Sequence, residues 1–167
     1  MEKEALQKKT TIVDNDESQR EIKKKLLSEC LKTQKRLAET ARTAMIQAQE
    51  SAIEEEATQE EKFEGSKAQC QADRDMYARQ YQEALEGFNF LNKIDVSRKY
   101  DSVMLGAVVI TDVQNLFIAI SIGELKIDNK PIFAISPLTP LFRAMTGKKK
   151  GETFSFRNKT FTILDLY

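Results

Sequence analysis

A run of glutamates carries the residue type best suited to chemistry in this chain. Residues 50–64 contain seven of them, opposed only by Lys62: Glu50, Glu54, Glu55, Glu56, Glu60, Glu61 and Glu64. So many carboxylates repel one another unless a cation or a basic surface receives them. The run therefore indicates either a solvated helix face, which is the usual role of a charge run, or an acidic cluster directed at a positive partner.

Other residue types that support catalysis or metal binding are scarce. The 167-residue chain contains no histidine, which excludes histidine-based triads, metal ligands and general bases. Its two cysteines, Cys30 and Cys70, show no CxxC or Cys/His spacing, so no zinc site is predicted. Both are interpreted as small apolar residues of a helix seam or a core.

The formal net charge of zero conceals an asymmetry between the two halves. Residues 96–167 hold ten Lys/Arg and six Asp/Glu, which leaves 16 basic and 20 acidic residues for 1–95. Neither part is basic enough to indicate a nucleic-acid binder on charge alone. The N-terminus lacks an apolar signal segment, and no apolar run approaches the ~20 residues of a membrane span. The expectation is a cytoplasmic, reduced protein without a membrane partner.

The first part of the chain is predicted to be helical. Residues 16–94 lack proline and are rich in good helix formers. Apolar residues at steps of three and four form two seams: Ile22, Leu26, Cys30, Thr33, Leu37, Ala41, Ala44 and Ala48, then Cys70, Tyr77, Ala84 and Leu91. Residues 16–95 are therefore predicted to form an antiparallel coiled-coil hairpin with an acidic tip near 50–64, its turn near 54–60. One continuous helix that dimerises is the alternative, because no Gly, Pro or Asn marks a turn.

Two segments of this first part are interpreted without a binding role. Residues 1–15 show no strong pattern and are predicted to be a disordered N-terminal segment. The basic residues at the base of the first arm are expected to form a solvated face: Arg20, Lys23, Lys24 and Lys25.

The pattern changes near Val96 to short strands. VMLGAVVI at 103–110 and LFIAISI at 116–122 are apolar and β-branched, and 124–135 is predicted as two strands around a turn at 128–130. In TPLFRAMTG, Thr139 fits a helix N-cap, Pro140 fits the first turn and Gly147 fits the position after the C-terminus. A final hairpin joins 152–156 to 160–167. Residues 96–167 are therefore predicted to be a small α+β domain, and the chain as a whole α+β.

The segment TPLFRAMTGKKKGE, residues 139–152, resembles the C-terminal motif of the Gre-type bacterial transcript cleavage factors. The positions in register are Pro140, Leu141, Arg143, Ala144, Gly147, Lys148, Lys149 and Gly151, and the ending Asp165-Leu166-Tyr167 resembles the end of the family's chains. The resemblance covers 96–167 by motif and 17–95 only by architecture. It implies a coiled-coil hairpin followed by a domain with an FKBP-like fold.

The resemblance also implies a function and a partner. The C-terminal domain would dock on RNA polymerase through Thr139, Pro140, Leu141, Arg143 and Lys148, and the hairpin would enter the secondary channel. Tip acids, here Glu54, Glu55 and Glu56, would help hold Mg²⁺ at the polymerase active site, with Glu55 as the candidate ligand. The factor would be a monomer, not itself an enzyme, with no tightly bound cofactor. It would meet nascent RNA and DNA only within the elongation complex.

The sequence departs from the family pattern at two points. In the best register of the tip motif, Ala52 stands where cleavage-active members have Asp and Thr58 where they have a second Glu. Leu138 stands where the docking motif often has Asp or Asn. A channel-binding regulator or inhibitor without cleavage is therefore the alternative function. An isomerase or chaperone of the FKBP class is an alternative of another kind, based on fold analogy alone.

Overall fold

The computed structural model describes the backbone of residues 2–57 and 64–167 and the side chains of residues 16–54 and 65–167. Two long helices come first, α1 (Glu2–Ala57) and α2 (Glu64–Leu91). The elements that follow are β1 (Val108–Thr111), β2 (Asn115–Ile118), β3 (Gly123–Ile127), β4 (Lys130–Ile135), α3 (Pro140–Met145), β5 (Thr153–Phe156) and β6 (Lys159–Leu166). The predicted α+β class, a helical hairpin before a small sheet domain, is confirmed.

The chain divides into two compact units. One contains residues 1–30 and 93–167, and the other contains residues 31–92. Helix α1 contributes to both, so the segment 16–30, predicted as part of the hairpin, belongs to the same unit as the β-sheet. No helix in the described part of the chain is both long and apolar enough to cross a membrane.

In the unit of residues 31–92, α1 and α2 run antiparallel. The side chain of Gln34 lies against Gly87, so these two residues face each other across the pair. Gln34 precedes Ala57 by 23 residues and Gly87 follows Glu64 by 23, as an antiparallel hairpin requires. The alternative of one continuous helix is therefore wrong. The connection falls at residues 58–63, so the exact position of the predicted turn lies outside the described residues.

The seam of the first arm is rotated from its predicted position. Its buried residues in this unit are Gln34, Ala38 and Ala41, whereas Leu37 is 47% exposed. Successive helix residues point about 100° apart, so a seam centred on Ala38 and Ala41 turns Leu37 toward its flank. Small residues on both helices explain why this face of α1 is buried. Ala38 and Ala41 can approach the buried Ala84 of α2 more closely than leucine could. The prediction that Leu37 belongs to the seam was wrong.

The six strands form one sheet in the order β3-β4-β2-β1-β6-β5. β2 and β4 are parallel, and the remaining neighbours are antiparallel. Two-residue turns close the hairpins at Asp128-Asn129 and Arg157-Asn158, and all four residues have positive φ between 49° and 63°. Asn and Asp tolerate this left-handed conformation, which is why the turn positions could be predicted.

One face of the sheet packs against α3. Val109, Leu116 and Ile163 are fully buried in the same cluster as Met145 of α3. Phe154 and Phe161 stack beside them with ring centroids 4.9 Å apart. This core fixes the position of α3 and of the loops at its two ends.

Residues 16–30 of α1 contact the opposite side of the sheet and the β3–β4 turn. Val108, Phe117 and Ala134 share that face and are buried. Asp165 of β6 lies on it too and accepts a hydrogen bond from Gln19 Nε2 at 3.4 Å. Lys25 Nζ reaches Asp128 in the β3–β4 turn at 3.2 Å. The sequence analysis predicted a small α+β domain of residues 96–167 alone, so these contacts with α1 are a feature that it missed.

The predicted strand at 103–110 is shorter than expected. β1 begins only at Val108, because Gly106 has φ +90° and interrupts the extended backbone. Val103 instead exchanges backbone hydrogen bonds with the turn after α3, donating to Lys148 O at 2.8 Å and accepting from Gly147 N at 2.9 Å. Residues 103–107 are therefore buried connections rather than strand.

Candidate functional site

The loop before α3 is held by a compact set of hydrogen bonds. Thr139 Oγ1 accepts from Phe142 N at 3.3 Å and donates to Ser136 O at 2.8 Å. Ser136 Oγ accepts from Leu138 N at 3.1 Å, and Ser121 Oγ accepts from Ser136 N at 3.2 Å. The predicted N-cap at Thr139 and the proline in the first turn are both present. The loop is thus fixed at the point where the chain enters the helix.

The turn after α3 is fixed as firmly. Gly147 has φ +74° and Gly151 has φ +87°, conformations that favour glycine. Gly151 N donates to Ile163 O at 2.8 Å, which ties the turn to β6. We call residues 136–151, comprising the loop, α3 and this turn, the α3 surface.

The five residues predicted to dock on a partner all lie on the α3 surface. Pro140 and Arg143 are exposed, whereas Thr139, Leu141 and Lys148 are half-buried. Leu141 packs against the domain core, so only part of its side chain could meet a partner. The structure thus brings these residues together on one continuous stretch, with capping and core packing as the established roles of Thr139 and Leu141.

Leu138 is the most exposed large apolar side chain of the described residues, at 79%. It stands on the fixed loop, directly before the N-cap. Single exposed apolar residues are common on protein surfaces, but the backbone that carries this one is held in place, because Leu138 N donates to Ser136 Oγ and Thr139 Oγ1 donates to Ser136 O. The sequence feature that indicates this exposed residue is its position between Pro137 and the N-cap, because polar residues are favoured in such turns.

The lysines that follow α3 differ from one another. Lys150 Nζ pairs with Asp165 Oδ1 at 2.7 Å, whereas Lys149 is exposed and uses its backbone N–H to donate to Glu152 Oε2 at 2.6 Å. Such exposed pairs contribute little to stability. Together with Arg143, Lys149 leaves a basic rim on the α3 surface.

The acidic end of the first arm is described only in part. Glu50 and Glu54 are exposed on α1, beside Ile53, which is 57% exposed. The side chains of Glu55 and Glu56 lie outside the described residues, and so does the predicted role of Glu55 as a Mg²⁺ ligand. Within 16–54 and 65–167, no three acidic or cysteine side chains are grouped as a metal site would require.

Several aromatic residues of the β domain lie inside it, whereas Phe133, Phe142, Phe156 and Tyr167 are half-buried. Phe117, Phe154 and Phe161 are buried and fill the space between the layers. An open groove of about 680 Å³ lies at the start of the described part of α1, and its described lining is charged: Asp16, Glu17, Arg20, Glu21, Lys24 and Lys99. A groove with this lining is poorly suited to bind a proline ring.

The basic residues of α1 do not form a uniformly solvated face. Arg20, Lys24 and Lys25 are exposed as predicted, but Lys23 is 3% exposed and its prediction was wrong. Burial holds the pKa of Lys23 below its usual value, with Arg20 adding to the effect and Asp95 opposing it. Its spacing of three and seven residues from Leu26 and Cys30, both buried, is the signal that could have identified it.

The fold and its surfaces define a helical-hairpin protein with a small α+β domain. No protein-family model matches the sequence, and no curated protein matches it. A solved structure of the transcription factor Gfh1 is 12% identical, covers 83% of this chain and 93% of its own, and has a TM-score of 0.34. The structure of GreA factor homolog 1 (Gfh1) of Thermus thermophilus is 14% identical over 86% of this chain and 93% of its own, with a TM-score of 0.33. Similarity at this level assigns neither a family nor a function.

Proposed function

We propose that this protein is a Gre-like transcription elongation factor that binds RNA polymerase through its α3 surface and inserts the helical hairpin into the secondary channel. The motif at residues 139–152 supports this proposal because its eight matching positions form one structural unit. Capping, the positive-φ glycines and the backbone bonds to Val103 all serve to present that unit at the surface. RNA polymerase acts in the cytoplasm of bacteria, which is where the protein would work.

The arrangement around Leu138 is the main observation that supports the proposed docking of the α3 surface on RNA polymerase. Leu138 is 79% exposed on a backbone held by a hydrogen bond, and with the exposed Pro140 and Arg143 it offers an apolar contact with a basic neighbour. Interfaces concentrate their binding energy in a few side chains, among which arginine is enriched and leucine is under-represented. Because the loop is already ordered by its own hydrogen bonds, little conformational entropy is lost on binding.

The proposed role of the hairpin is to carry carboxylates to the polymerase active site. Carboxylate oxygens are ligands that Mg²⁺ prefers, and a second metal ion clamps the reacting oxygens of a phosphodiester. Glu54 is exposed on the first arm of the hairpin, so its carboxylate is accessible to a metal ion held by the polymerase. The protein would then complete the active site of the polymerase and would not be an enzyme itself.

A second candidate function is regulation of the polymerase without RNA cleavage. Ala52 stands where cleavage-active relatives carry an acid, and the neighbouring Ile53 is 57% exposed. An apolar residue at this end of the hairpin suits contact with protein better than coordination of a metal ion. In this case the hairpin would occupy the channel and impede substrate entry.

A transcript cleavage assay on backtracked elongation complexes separates the two functions. The wild-type protein is compared with the Glu54→Ala/Glu55→Ala/Glu56→Ala variant, and with Glu83→Ala/Glu86→Ala as a matched loss of exposed acids on α2. Shortening of the RNA from its 3′ end by the wild type and the α2 variant alone supports the cleavage function. Binding to polymerase without shortening supports the regulator. Absence of binding by the wild-type protein would refute both.

A further inference from the structure

Lys23 occupies a position where an apolar residue would be expected. It lies on the same face of α1 as Leu26 and Cys30, which are fully buried, and is itself only 3% exposed. A buried ammonium group loses its hydration, and replacing such a charge with an apolar residue of similar size is often neutral or stabilising. The presence of lysine here therefore calls for a role other than stability.

The ammonium group of Lys23 is directed at a single segment of the β domain. Its Nζ donates to the backbone carbonyl of Arg98 at 2.5 Å and lies 5.0 Å from the centre of the Tyr100 ring. The guanidinium of Arg98 lies over the same ring at 5.3 Å. A cation over an aromatic face is attracted by the ring quadrupole, and the attraction is larger when the cation is desolvated.

Tyr100 is itself fixed against the sheet. It is 9% exposed, and its hydroxyl oxygen stands 2.3 Å from where a β-carbon on Gly106 would be. Only glycine leaves room for the hydroxyl at this position, and Gly106 N donates to Ile118 O of β2 at 2.7 Å. The chain of contacts from Lys23 through Tyr100 to Gly106 thus joins α1 to the sheet.

Three other polar contacts of this part of α1 are weaker restraints. Gln19 with Asp165, Lys25 with Asp128 and Lys99 with Asp16 involve exposed or half-buried side chains that water can replace. Exposed ion pairs contribute little, and the buried Leu26 and Cys30 select the face of α1 that packs on the β domain without the directionality of a hydrogen bond. A single polar residue at a core position specifies register in coiled coils at some cost in stability.

We propose that Lys23 is a positioning residue, which fixes residues 16–30 of α1 in one register on the β domain through Arg98 and Tyr100. Resting on the proposed function, the inference adds that action on RNA polymerase depends on this register. A slip of residues 16–30 by one position would move this segment about 1.5 Å along the helix axis and rotate it about 100°.

Hydrogen exchange of the amides of residues 16–30 tests the positioning role in the purified full-length protein. Lys23→Met keeps the length of the side chain and removes its charge, and Lys24→Met is the matched control because Lys24 is exposed. For Lys23→Met we expect exchange about tenfold faster in residues 16–30 alone, with an unchanged or higher melting temperature. The control should behave like the wild type.

Two results would overturn the positioning role. One is that the amides of residues 16–30 in Lys23→Met exchange at the same rate as in the wild-type protein. The other is faster exchange along the whole chain with a lower melting temperature, since Lys23 would then contribute stability only. Tyr100→Leu, which removes the aromatic face, should reproduce the local effect, and Tyr100→Phe, which keeps the face, should not.

Polymerase binding and the transcription assay test the dependence on register separately. We expect Lys23→Met to bind RNA polymerase within about twofold of the wild type but to lose about tenfold in its effect on elongation complexes, because docking and insertion use different residues. An unchanged effect would overturn this part. If the wild type does not bind polymerase, the proposed function fails, while the exchange experiment still decides whether Lys23 positions α1.

Discussion

The side chain of Gln34 fills the space that Gly87 leaves on the opposite helix. A β-carbon built on Gly87 would stand 2.9 Å from Gln34 Oε1 and 3.1 Å from Cδ. Gln34 is 9% exposed, so its amide group has little freedom to move away. Gly87 lies inside α2, four residues before its end at Leu91, where glycine weakens the helix, and it faces a buried polar residue of α1.

This contact predicts that Gly87→Ala alone will increase the free energy of unfolding only slightly. Alanine favours a helix over glycine by about 1 kcal/mol, but its methyl group must displace Gln34. In a Gln34→Ala background the same change should gain the full amount of about 1 kcal/mol. The free energy of unfolding of the four proteins in this double-mutant cycle measures the difference. An equal gain in both backgrounds would show that the contact contributes nothing.

The N-cap of α3 predicts a stability effect that depends on the hydroxyl group. Thr139→Ala removes the acceptor for Phe142 N and should cost about 1 kcal/mol in the free energy of unfolding. Thr139→Ser keeps the oxygen and should change that free energy by only a few tenths of a kcal/mol. Urea unfolding of both variants gives the comparison. A serine variant as unstable as the alanine variant would assign the effect to the lost methyl group.

The proposed docking role predicts that affinity and stability separate on the α3 surface. Leu138→Ala and Arg143→Ala remove exposed groups, so each should change the free energy of unfolding by less than about 0.5 kcal/mol. Each should weaken binding to RNA polymerase by about tenfold, as interface anchors do. Lys159→Ala, an exposed lysine on β6, is the control. Binding measured by competition with labelled wild-type protein should be unaffected by the control, and equal binding by all three variants would place the interface elsewhere.

The thiol of Cys30 predicts a loss of stability at alkaline pH. Burial, with a smaller contribution from Glu29, raises the pKa of Cys30 from 9.0 to about 12. The folded state therefore holds the proton more tightly, so this contribution to stability is complete below pH 9.0 and is lost as the pH rises toward about 12. Thiolate absorbance in a Cys70→Ser background should show an inflection near 12 in the folded protein.

The contribution of Cys30 must be separated from those of three other groups. Burial raises the pKa of Tyr167 to about 12 and also raises the pKa of Tyr100, and both effects reduce stability as the pH rises. Burial lowers the pKa of Lys23, so its effect makes stability increase with pH until the pH reaches the pKa of lysine in the unfolded chain. A comparison of unfolding free energies between the wild type and Cys30→Ala isolates the thiol. A difference between them that does not shrink above pH 9.0 would contradict the prediction.

Local signals in the sequence determined much of the β domain. Thr139 and Pro140 begin α3 because a cap and a fixed φ act within one turn of the chain. In the turns at Asp128-Asn129 and Arg157-Asn158, three of the four residues are Asp or Asn, which tolerate positive φ. The α+β class followed from the change of apolar period near Val96, and the two helices from a long stretch without proline. These features depend on neighbours in the sequence, so they could be predicted.

The tertiary structure decided which helix residues are buried beyond those that the apolar seams predicted. Lys23 lies in the same basic run as the exposed Lys24 and Lys25, and the distant Arg98 and Tyr100 give its ammonium group partners. Leu37 lies outside the seam, whereas Gln34 and Ala38 are buried in it, because the small residues of α2 allow the two helices to approach closely there. The contacts of α1 with the sheet likewise join residues far apart in the chain, such as Gln19 and Asp165. The spacing of apolar residues along the chain determines which helices and strands form. Which side of a helix faces its partner, and how much it costs to bury a charge, depend on the residues that the fold brings into contact with it.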